Sequence, residues 1–496
     1  MAVQQAESVG PGDSQGKAWL QTLGLATMVV GLGSAIGLGV GLGLALPLVI
    51  VLVALIASLV LLMGWPVSAV AFLAGAALLT RYRLEVGAFS VRAEHVAALL
   101  VAFLGAWQLV RWRRRLVITT PGVLILGWLA VNLVATLANA PDPSESQRHT
   151  LRLFLVALNF FLVVNLLQKP QQWRRAYRWF LGLGVAEAAF GLLALAVYPS
   201  GVNLGVQVMP NLPYPVPYGS FEEGNLFGSH SGAWLLALLF LYLGGRPGPR
   251  RARVRRVVLA IGIGILSLAV LLSLSRGAWL GFLAGLLLVY IYYGRSRVGQ
   301  MRRLTYVLIA GPVVAALLIL ALLFLPDSVP LIGRVRSFAR LDQDATFQGR
   351  LEDISRALHD WSEHPLLGWG PGTYVQLHGI VRGSPAWLSN IILRTLQETG
   401  VVGLLFFGGY VVTVLVGAVR TSRVAVGPDD RAMLLGLAVG CCALLVSYQA
   451  TDGTWLAATW VHTGLLMAGI RALRNRREET PHVEGSPLPQ AASVMT

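Results

Sequence analysis

The chain has 496 residues, of which 55% are hydrophobic and only 12% are charged. A soluble domain has about 25% charged residues, so this composition excludes a soluble enzyme, a secreted disulfide scaffold and a disordered chain. The formal net charge is +16, from 39 lysine and arginine residues against 23 aspartate and glutamate residues. In a soluble protein this charge would point to nucleic acid, whereas in a membrane protein it first reflects topology.

Long apolar runs dominate the chain from its first part onward. Residues 18–80 contain no charged residue, and about 20 apolar residues are enough to cross a bilayer. The runs predict an all-α polytopic membrane protein with about fourteen (12–14) transmembrane helices, and they exclude a β-barrel, whose strands are short alternating segments. The predicted spans are 18–40, 43–63, 65–80, 94–110, 121–138, 151–167, 177–198, 225–243, 257–274, 277–293, 305–325, 400–419, 432–449 and 454–470.

Fourteen spans place both termini on the same side of the membrane. With that side in the cytoplasm, the cytoplasmic segments hold 26 of the 39 basic residues, as the positive-inside rule requires. The predicted organisation is a cytoplasmic tail (1–17), the first part of the bundle (18–325), a large extracytoplasmic loop (326–399), the last part of the bundle (400–470) and a cytoplasmic tail (471–496). A second outer segment, 199–224, is rich in proline, and outer loops of this size often carry function.

Two arginines of the outer segments are candidates for binding an anion. Arg276 lies in a tight turn between two spans, where a guanidinium can bind phosphate or carboxylate in a bidentate way or can snorkel to the interface. Arg350 begins a predicted amphipathic helix, 349–364, and a cation near a helix N-terminus opposes the macrodipole. This unfavourable position indicates another role for Arg350, such as binding an anionic ligand.

Other polar residues have both a structural and a functional explanation. Glu187 lies in mid-span, where it either faces a cavity or is a protonated or paired structural residue. Ser220, Glu222 and Asn225 could bind a sugar or cap a helix. Asn390, Arg394 and Gln397 share one face of a predicted helix, 388–398, which is either solvated or part of a site.

Some motifs indicate packing, or are missing from the sequence. Gly33, Gly37 and Gly41 are spaced four apart in a hydrophobic span, which favours close helix packing over a nucleotide-binding loop. The sequence contains no HExxH, GxSxG or Walker motif, and its histidines are scattered. No metal and no cofactor is therefore predicted.

Five segments, in chain order, resemble the O-antigen ligase/polymerase superfamily of bacterial membrane glycosyltransferases. They are NAPDPSESQRHTLR (139–152), GSFEEGN (219–225), SLSRGAW (273–279), GRLEDISRALHDWSEHPLLGWGPGTY (349–374) and SNIILRTLQETGVVGLL (389–405). The fourth is the most specific, because it combines a helix with Pro-Leu-Leu-Gly and Gly-Pro-Gly. The resemblance covers roughly residues 120–470.

The resemblance implies an enzyme of the bacterial inner membrane with its active site on the extracytoplasmic side. Members of the family take a glycan from an undecaprenyl-diphosphate carrier and move it to lipid A core (ligases) or to another carrier-linked unit (polymerases), without a metal or a nucleotide sugar. The implied partners are the polyprenyl-diphosphate-linked donor, an acceptor glycan or glycolipid and the lipid bilayer, with no nucleic acid. Arg276 and Arg350 would hold the diphosphate in an inverting transfer.

One position departs from the family pattern. The large loop of the family commonly ends with His-Asn, and this sequence has Ser389 followed by Asn390. A serine is a poor general base at neutral pH, so another group such as His378, Glu222 or Glu223 would serve, or positioning alone would suffice. This departure favours a polymerase over a ligase.

The predicted site therefore has two groups of residues, and two other functions are alternatives to glycosyl transfer. The predicted catalytic residues are Arg276, Arg350, Ser389 and Asn390, and the predicted substrate-binding residues are Ser220, Glu222, Asn225, Arg356, His378 and Arg394. One alternative is a transporter or flippase for lipid-linked glycan, which would show inverted repeats and broken midplane helices that the sequence lacks. Another is a structural scaffold of the cell envelope.

Overall fold

A computed structural model of the chain describes residues 65–86, 89–112, 116–209, 212–244, 250–296, 345–381, 384–424 and 427–478. The chain divides into two compact units, Met1–Phe72 and Leu73–Thr496. Of the first unit, only residues 65–72 are described, and they include the start of a helix. The predicted spans 18–40, 43–63 and 305–325 and the first part of the predicted outer loop lie outside the described residues.

Thirteen α-helices make up most of the described chain. They are α1 (Val67–Ala76), α2 (Ala93–Trp112), α3 (Thr120–Asn139), α4 (Pro143–Leu166), α5 (Pro170–Val197), α6 (Gly224–Gly244), α7 (Arg250–Leu272), α8 (Arg276–Ser296), α9 (Ala345–Glu363), α10 (Thr373–His378), α11 (Ile391–Val424), α12 (Pro428–Ser447) and α13 (Ala457–Glu478). The predicted amphipathic helix 349–364 corresponds to α9, and the predicted helix 388–398 forms the start of α11.

Eight helices of the described residues are long and apolar enough to cross a membrane, namely α3 to α8, α11 and α12. The prediction of an all-α polytopic membrane protein is confirmed, whereas the exact number of spans stays a prediction. Helices α1 and α2 are shorter apolar helices. Helix α13 corresponds to the predicted span 454–470 and is almost entirely buried between 461 and 470. Because it packs inside the bundle, it can carry polar residues such as His462 and Thr463.

The helices begin where side chains can satisfy their free N–H groups. The Thr119 hydroxyl accepts a hydrogen bond from the Gly122 N–H (3.3 Å) at the start of α3. At the start of α4, Asp142 Oδ1 accepts hydrogen bonds from the N–H groups of Ser144 (2.9 Å) and Glu145 (3.2 Å). Proline occupies the first turn of α3, α4, α5 and α12, where its missing N–H costs nothing.

Helices α6 and α12 form the centre of the bundle and are the most buried of the eight. Small residues let them approach closely. A Cβ at Gly436 would lie 3.0 Å from Ala237 Cα, and one at Gly440 would lie 3.0 Å from the Ala233 oxygen. In a membrane, where the hydrophobic effect does not drive helices together, such close contact supplies the packing energy.

Within the described ranges, three short antiparallel hairpins connect helices, a feature that the sequence analysis did not predict. They are β1 (Arg83–Val86) with β2 (Phe89–Arg92), β3 (Val206–Met209) with β4 (Leu212–Pro217), and β5 (Ile380–Val381) with β6 (Ser384–Pro385). The second hairpin lies in the proline-rich segment 199–224, where alternating valines on β3 pair with the prolines of β4. Prolines are tolerated there because a two-stranded ribbon has only edge strands.

The bundle has two chemically different ends. At one end, which we call the basic end, Arg174 forms a bidentate ion pair with Asp430 (2.6 and 2.6 Å) and Arg255 pairs with Asp429 (2.9 Å). At the other, which we call the site end, α3, α5, α7 and α12 finish and α4, α6, α8, α11 and α13 begin. The predicted outer segments within the described residues meet at the site end.

Candidate active site

The connections at the site end are tied together by hydrogen bonds between distant parts of the chain. The Asn139 side chain donates to the Gly368 oxygen (2.7 Å), and the Thr451 hydroxyl donates to Glu223 Oε1 (2.5 Å). The Ile391 N–H donates to the Tyr448 oxygen (2.9 Å). The turn that follows α12, residues 448–453, therefore contacts both the start of α11 and the segment before α6. We call it the central turn.

Arg276 is the first residue of α8 and is buried, with 7% of its surface exposed. A left-handed residue, Leu274 (φ 48°), turns the chain before it, and the Ser275 hydroxyl caps α8 by accepting from the Ala278 N–H (3.2 Å). The next residue, Gly277, packs on the central turn, because a Cβ there would lie 2.9 Å from the Ala450 Cβ. A guanidinium at a helix N-terminus beside this turn adds to the positive end of the helix dipole.

Arg350 reaches the same turn from a different element. It lies in the second turn of α9, and its Nη2 donates a hydrogen bond to the Ala450 oxygen (2.9 Å). Ala450 of the central turn is therefore contacted both by the Arg350 side chain and by Gly277, the residue that follows Arg276 at the start of α8. This contact also gives a reason for a cation near the start of α9, where the helix dipole alone disfavours it.

Glu223 supplies a carboxyl in the electrostatic field of Arg350. Its Oε1 accepts the hydroxyl of Thr451 on the central turn. Burial, and then the neighbouring negative charges of Glu222 and Asp452, raise the pKa of Glu223, and the positive charge of Arg350 partly opposes the shift. A carboxyl whose pKa is raised toward neutrality can accept a proton during a reaction more effectively than an ordinary glutamate.

A buried ion-pair network holds the central turn against α11. Arg394 on α11 pairs with Asp452 of the central turn and with Glu398 (Nε to Oε1, 2.9 Å). Glu398 Oε1 also accepts the Gly372 N–H (2.9 Å), and Asp452 Oδ1 accepts the Thr454 N–H (2.9 Å). Because all three charged side chains are almost completely buried, removal of Arg394 would leave two buried carboxylates without their cation.

The segment 365–370 docks onto a kink in α11. Gly400 has a left-handed φ of 61° and interrupts the helical conformation within α11. The backbone groups freed around the kink bond to this segment: the N–H of Val401 donates to the Pro365 oxygen (2.9 Å), and the N–H of Gly370 donates to the Glu398 oxygen (2.8 Å). A Cβ at Gly368 (φ 67°) would lie 2.5 Å from the Glu398 carbonyl carbon, so only glycine fits.

Comparison with known proteins finds a family match over the segment that contains Arg276, Arg350 and the kink in α11. Residues 261–408 match the family model described as O-Antigen ligase. The match confirms the resemblance to the O-antigen ligase/polymerase superfamily. No curated protein matches the chain.

The O-antigen ligase match extends from α7 into α11 and includes seven predicted site residues. They are Arg276, Arg350, Arg356, His378, Ser389, Asn390 and Arg394. Glu223 and Asp452 lie outside the matched range, and sequence reasoning did not identify Asp452 or Glu398 at all. The available signal for Asp452 was its place in the short segment between α12 and α13. The predicted topology puts this segment on the same side of the membrane as the other predicted outer segments.

The structure places Ser389 and Asn390 at the start of α11. Asn390 Oδ1 accepts from the N–H groups of Ile392 (3.0 Å) and Leu393 (3.0 Å), which are the contacts of a helix cap. The Asn390 side chain also donates to the Gln449 oxygen (3.3 Å) and so contacts the central turn. Ser389 is partly buried, and no described residue bonds to its hydroxyl. The catalytic roles of both residues stay predictions.

Ser220, Glu222 and Asn225 surround Glu223, but with different contacts. The Ser220 N–H (2.7 Å) and hydroxyl (2.6 Å) both contact the Glu187 carboxyl, and the hydroxyl also lies 2.8 Å from the Leu78 oxygen. Since the hydroxyl has one proton, satisfying both of its contacts requires a proton on Glu187. Glu222 pairs with Arg92 (2.8 Å), whereas the Asn225 side chain has no bonding partner among the described residues.

Two further predicted substrate-binding residues contact α9 rather than the central turn. Arg356 pairs with Glu352 (3.2 Å) and Asp353 (3.3 Å) on its own helix. His378 Nε2 lies 2.9 Å from Asp360 Oδ2, also on α9. In the described part of the chain, no hydrogen bond joins His378 to Ala450 or Glu223. Their substrate-binding roles, like that of Arg394, stay predictions.

Among the described residues, no group of three or more His, Cys, Asp or Glu side chains has the arrangement of a metal site. Arg276, Arg350 and Glu223 offer the chemistry of two guanidinium groups and one carboxyl. Guanidinium groups bind phosphate oxygens in a bidentate way and keep their charge at all physiological pH values. A carboxyl with a raised pKa can accept a proton.

Proposed function

We propose that the chain is a membrane glycosyltransferase that moves an oligosaccharide from a polyprenyl-diphosphate carrier onto an acceptor glycan. The observation that carries this proposal is that Arg350 and the start of α8, where Arg276 lies, meet at Ala450, beside the Glu223 carboxyl on which Arg350 acts. A displacement with diphosphate as the leaving group needs cations at the departing charge and a base at the attacking hydroxyl. The O-antigen ligase match supports the general class of activity.

In the proposed reaction, a hydroxyl of the acceptor sugar attacks the anomeric carbon of the donor glycan. The new carbon–oxygen bond forms as the bond from that carbon to the diphosphate breaks, which inverts the anomeric configuration. The hydroxyl proton passes to the Glu223 carboxylate, and the electron pair of the broken bond stays on the diphosphate. Arg276, Arg350 and the positive end of α8 stabilise the charge that develops there.

The proposed reaction is independent of metal ions. Divalent cations stabilise the departing phosphate in many enzymes, and two arginines can take the same electrostatic role. Arg276 and Arg350 are suited to it because they belong to two separate elements, α8 and α9, that both contact the central turn. Such an arrangement allows them to bind different oxygens of one diphosphate.

Among enzymes of this type, we favour a polymerase over a ligase. The argument is the serine at position 389, where the family commonly has the histidine that is thought to activate the acceptor in ligases. Glu223 takes the role of the base in our proposal, on a different element from Ser389. The alternative is a ligase that transfers the glycan to lipid A core, and the two differ only in the acceptor.

We further propose that the site end faces the extracytoplasmic side of a bacterial inner membrane. The described arginines concentrate at the opposite, basic end, as cytoplasmic ends of membrane helices do. They include Arg174, Arg175, Arg178, Arg255, Arg420, Arg471 and Arg474. This orientation presents Arg276 and Arg350 to the leaflet in which a translocated lipid-linked glycan resides.

Turnover by the purified full-length protein tests the proposal. We expect incubation with a polyprenyl-diphosphate-linked oligosaccharide to produce longer glycans on the same carrier. Transfer only to added lipid A core would instead identify a ligase. Movement of the donor across liposomes without any change in glycan length would contradict the enzymatic proposal and support a transporter.

The arginine variants Arg276→Ala and Arg350→Ala test the assigned site. Each is expected to lower turnover at least a hundredfold, which is the usual loss when a donor to a developing negative charge is removed. Arg420→Ala, an exposed arginine at the basic end, is the matched control and is expected to keep wild-type turnover. Wild-type turnover by both site variants would overturn their assigned role.

A further inference from the structure

A cavity lies at the basic end of the bundle, away from the proposed active site. It has a volume of about 980 Å³ and lies between α5, α6, α7 and the start of α12. This volume is in the range of about 300–1,000 Å³ that is common for ligand sites. None of the residues proposed for glycan transfer lines it.

The walls of this cavity are apolar, and its charges are gathered at one end. Leu181, Val185, Leu238 and Leu259 are among the apolar residues that line it. The arginines that line it all lie near the basic ends of their helices: Arg174 and Arg178 in the first turns of α5, and Arg255 in the second turn of α7. The cavity therefore combines a cationic mouth with an apolar interior.

Arg178 is the arginine at the mouth for which the described residues provide no ion pair. Arg174 is paired with Asp430 and Arg255 with Asp429. Arg178 donates only a 3.3 Å hydrogen bond to the Arg174 oxygen, and within the described chain no carboxylate lies within 4.0 Å of it. Three arginines against two aspartates leave one net positive charge at the mouth.

We propose that this cavity binds an anionic phospholipid, with its phosphate at Arg178 and an acyl chain along the apolar wall. The mouth lies at the ends of the membrane-spanning helices, at the depth where phospholipid headgroups reside. Basic pockets between such helices select anionic headgroups, because arginine binds phosphate in a bidentate way. A glycan does not fit, since its hydroxyls would face apolar side chains without hydrogen-bond partners.

The phosphate could also come from a soluble ion, so the interior must be tested separately from the mouth. Gly182 lines the cavity, and a Cβ placed on it meets no atom within 4 Å, so Gly182→Phe can enter this space without a clash at its Cβ. Gly264 on α7 has the same open surroundings but does not line the cavity. Gly264→Phe is therefore the matched control for the interior.

Lipid binding to the purified full-length protein, measured by native mass spectrometry with added phosphatidylglycerol or phosphatidylethanolamine, tests the proposal. We expect preferential binding of phosphatidylglycerol. Arg178→Gln should weaken it about tenfold, the loss expected for hydrogen bonds to a charged group, whereas Arg175→Gln, on the same helix but outside the cavity lining, should not. Gly182→Phe should also weaken it, and Gly264→Phe should not.

Three results would overturn the proposal. The first is equal binding of the two lipids, and the second is wild-type phosphatidylglycerol binding by both Arg178→Gln and Gly182→Phe. The third is binding of glycerol 3-phosphate as tight as that of phosphatidylglycerol, because the acyl chain would then contribute nothing. Since the readout is lipid binding, the result does not depend on whether the site end transfers glycans.

Discussion

At the scale of single residues, the arginines at the site end differ in the partners that they contact. Arg394 pairs with Glu398 and Asp452 in the buried network, and so ties the central turn to α11. Arg350 donates to a backbone oxygen of the central turn. The Glu223 carboxyl lies within the electrostatic field of Arg350. In the proposed reaction, Arg350 binds the diphosphate of the glycan donor, and Glu223 accepts the proton of the attacking hydroxyl.

The raised pKa of Glu223 predicts the pH dependence of turnover. The carboxylate is the active form, so activity should fall as the pH drops through a value above about 4.3, the ordinary pKa of glutamate. Glu223→Gln removes the base and should lower kcat by about 10²–10⁴-fold, with loss of this acidic limb. The exposed Glu363→Gln serves as the control. An unchanged rate and an unchanged acidic limb in Glu223→Gln would disprove its role as the base.

At the scale of elements, the most specific sequence motif forms a docking segment for α11. The Pro-Leu-Leu-Gly sequence bonds to the backbone groups that the kink at Gly400 leaves free. The adjoining ion-pair network ties the same stretch of α11 to the central turn through Arg394. Since the central turn receives Arg350 and contacts Gly277, the kink indirectly positions both proposed diphosphate-binding arginines.

Substitution of the kink glycine tests this coupling. In Gly400→Ala the new Cβ would lie 2.3 Å from the carbonyl carbon of Leu366, and the backbone conformation there (φ 61°, ψ −166°) costs a residue other than glycine about 1–3 kcal/mol before any clash. We expect a lower melting temperature in detergent and reduced turnover. Gly408→Ala, in the same helix and with no atom within 4 Å of the new Cβ, should keep both properties. Equal melting temperatures for the two variants would contradict the proposed docking.

At the scale of the whole molecule, the two ends of the bundle differ in charge and in proposed ligand. The site end gathers connections from the predicted outer segments around the central turn, with acidic and basic residues in close pairs. The basic end has arginines in excess and an apolar cavity beneath them. We therefore expect the two ends to face different sides of the membrane.

Cysteine labelling in intact cells tests this orientation. In a background with Cys441→Ser and Cys442→Ser, Ser200→Cys lies just after α5 at the site end, and Arg420→Cys lies in α11 near the basic end. Both native positions are exposed. A membrane-impermeant maleimide should label Ser200→Cys in intact cells and Arg420→Cys only after permeabilisation. The reverse pattern would show that the proposed site faces the cytoplasm.

The sequence by itself determined the class of fold and the segments that resemble the O-antigen ligase/polymerase superfamily. Apolar run length is a local property, so the all-α membrane architecture follows from composition without any knowledge of contacts. Arg276 and Arg350 were identified because each occupies a position that local physics disfavours or leaves unexplained. The β3–β4 hairpin was missed because its proline-rich segment carries little strand signal, and the strands of the other two hairpins are only two to four residues long.

Only the tertiary structure decided which charges meet. Residues that lie 58 to 173 positions apart meet at the central turn: Arg394 pairs with Asp452, Arg350 donates to Ala450, and Gly277 packs on Ala450. No local pattern encodes such contacts, because they depend on how α8, α9, α11 and α12 pack around one turn. Burial then sets the pKa of the Glu223 carboxyl. A glutamate exposed to water is an ordinary acid, whereas partial desolvation between other charges raises its pKa and makes it a candidate base.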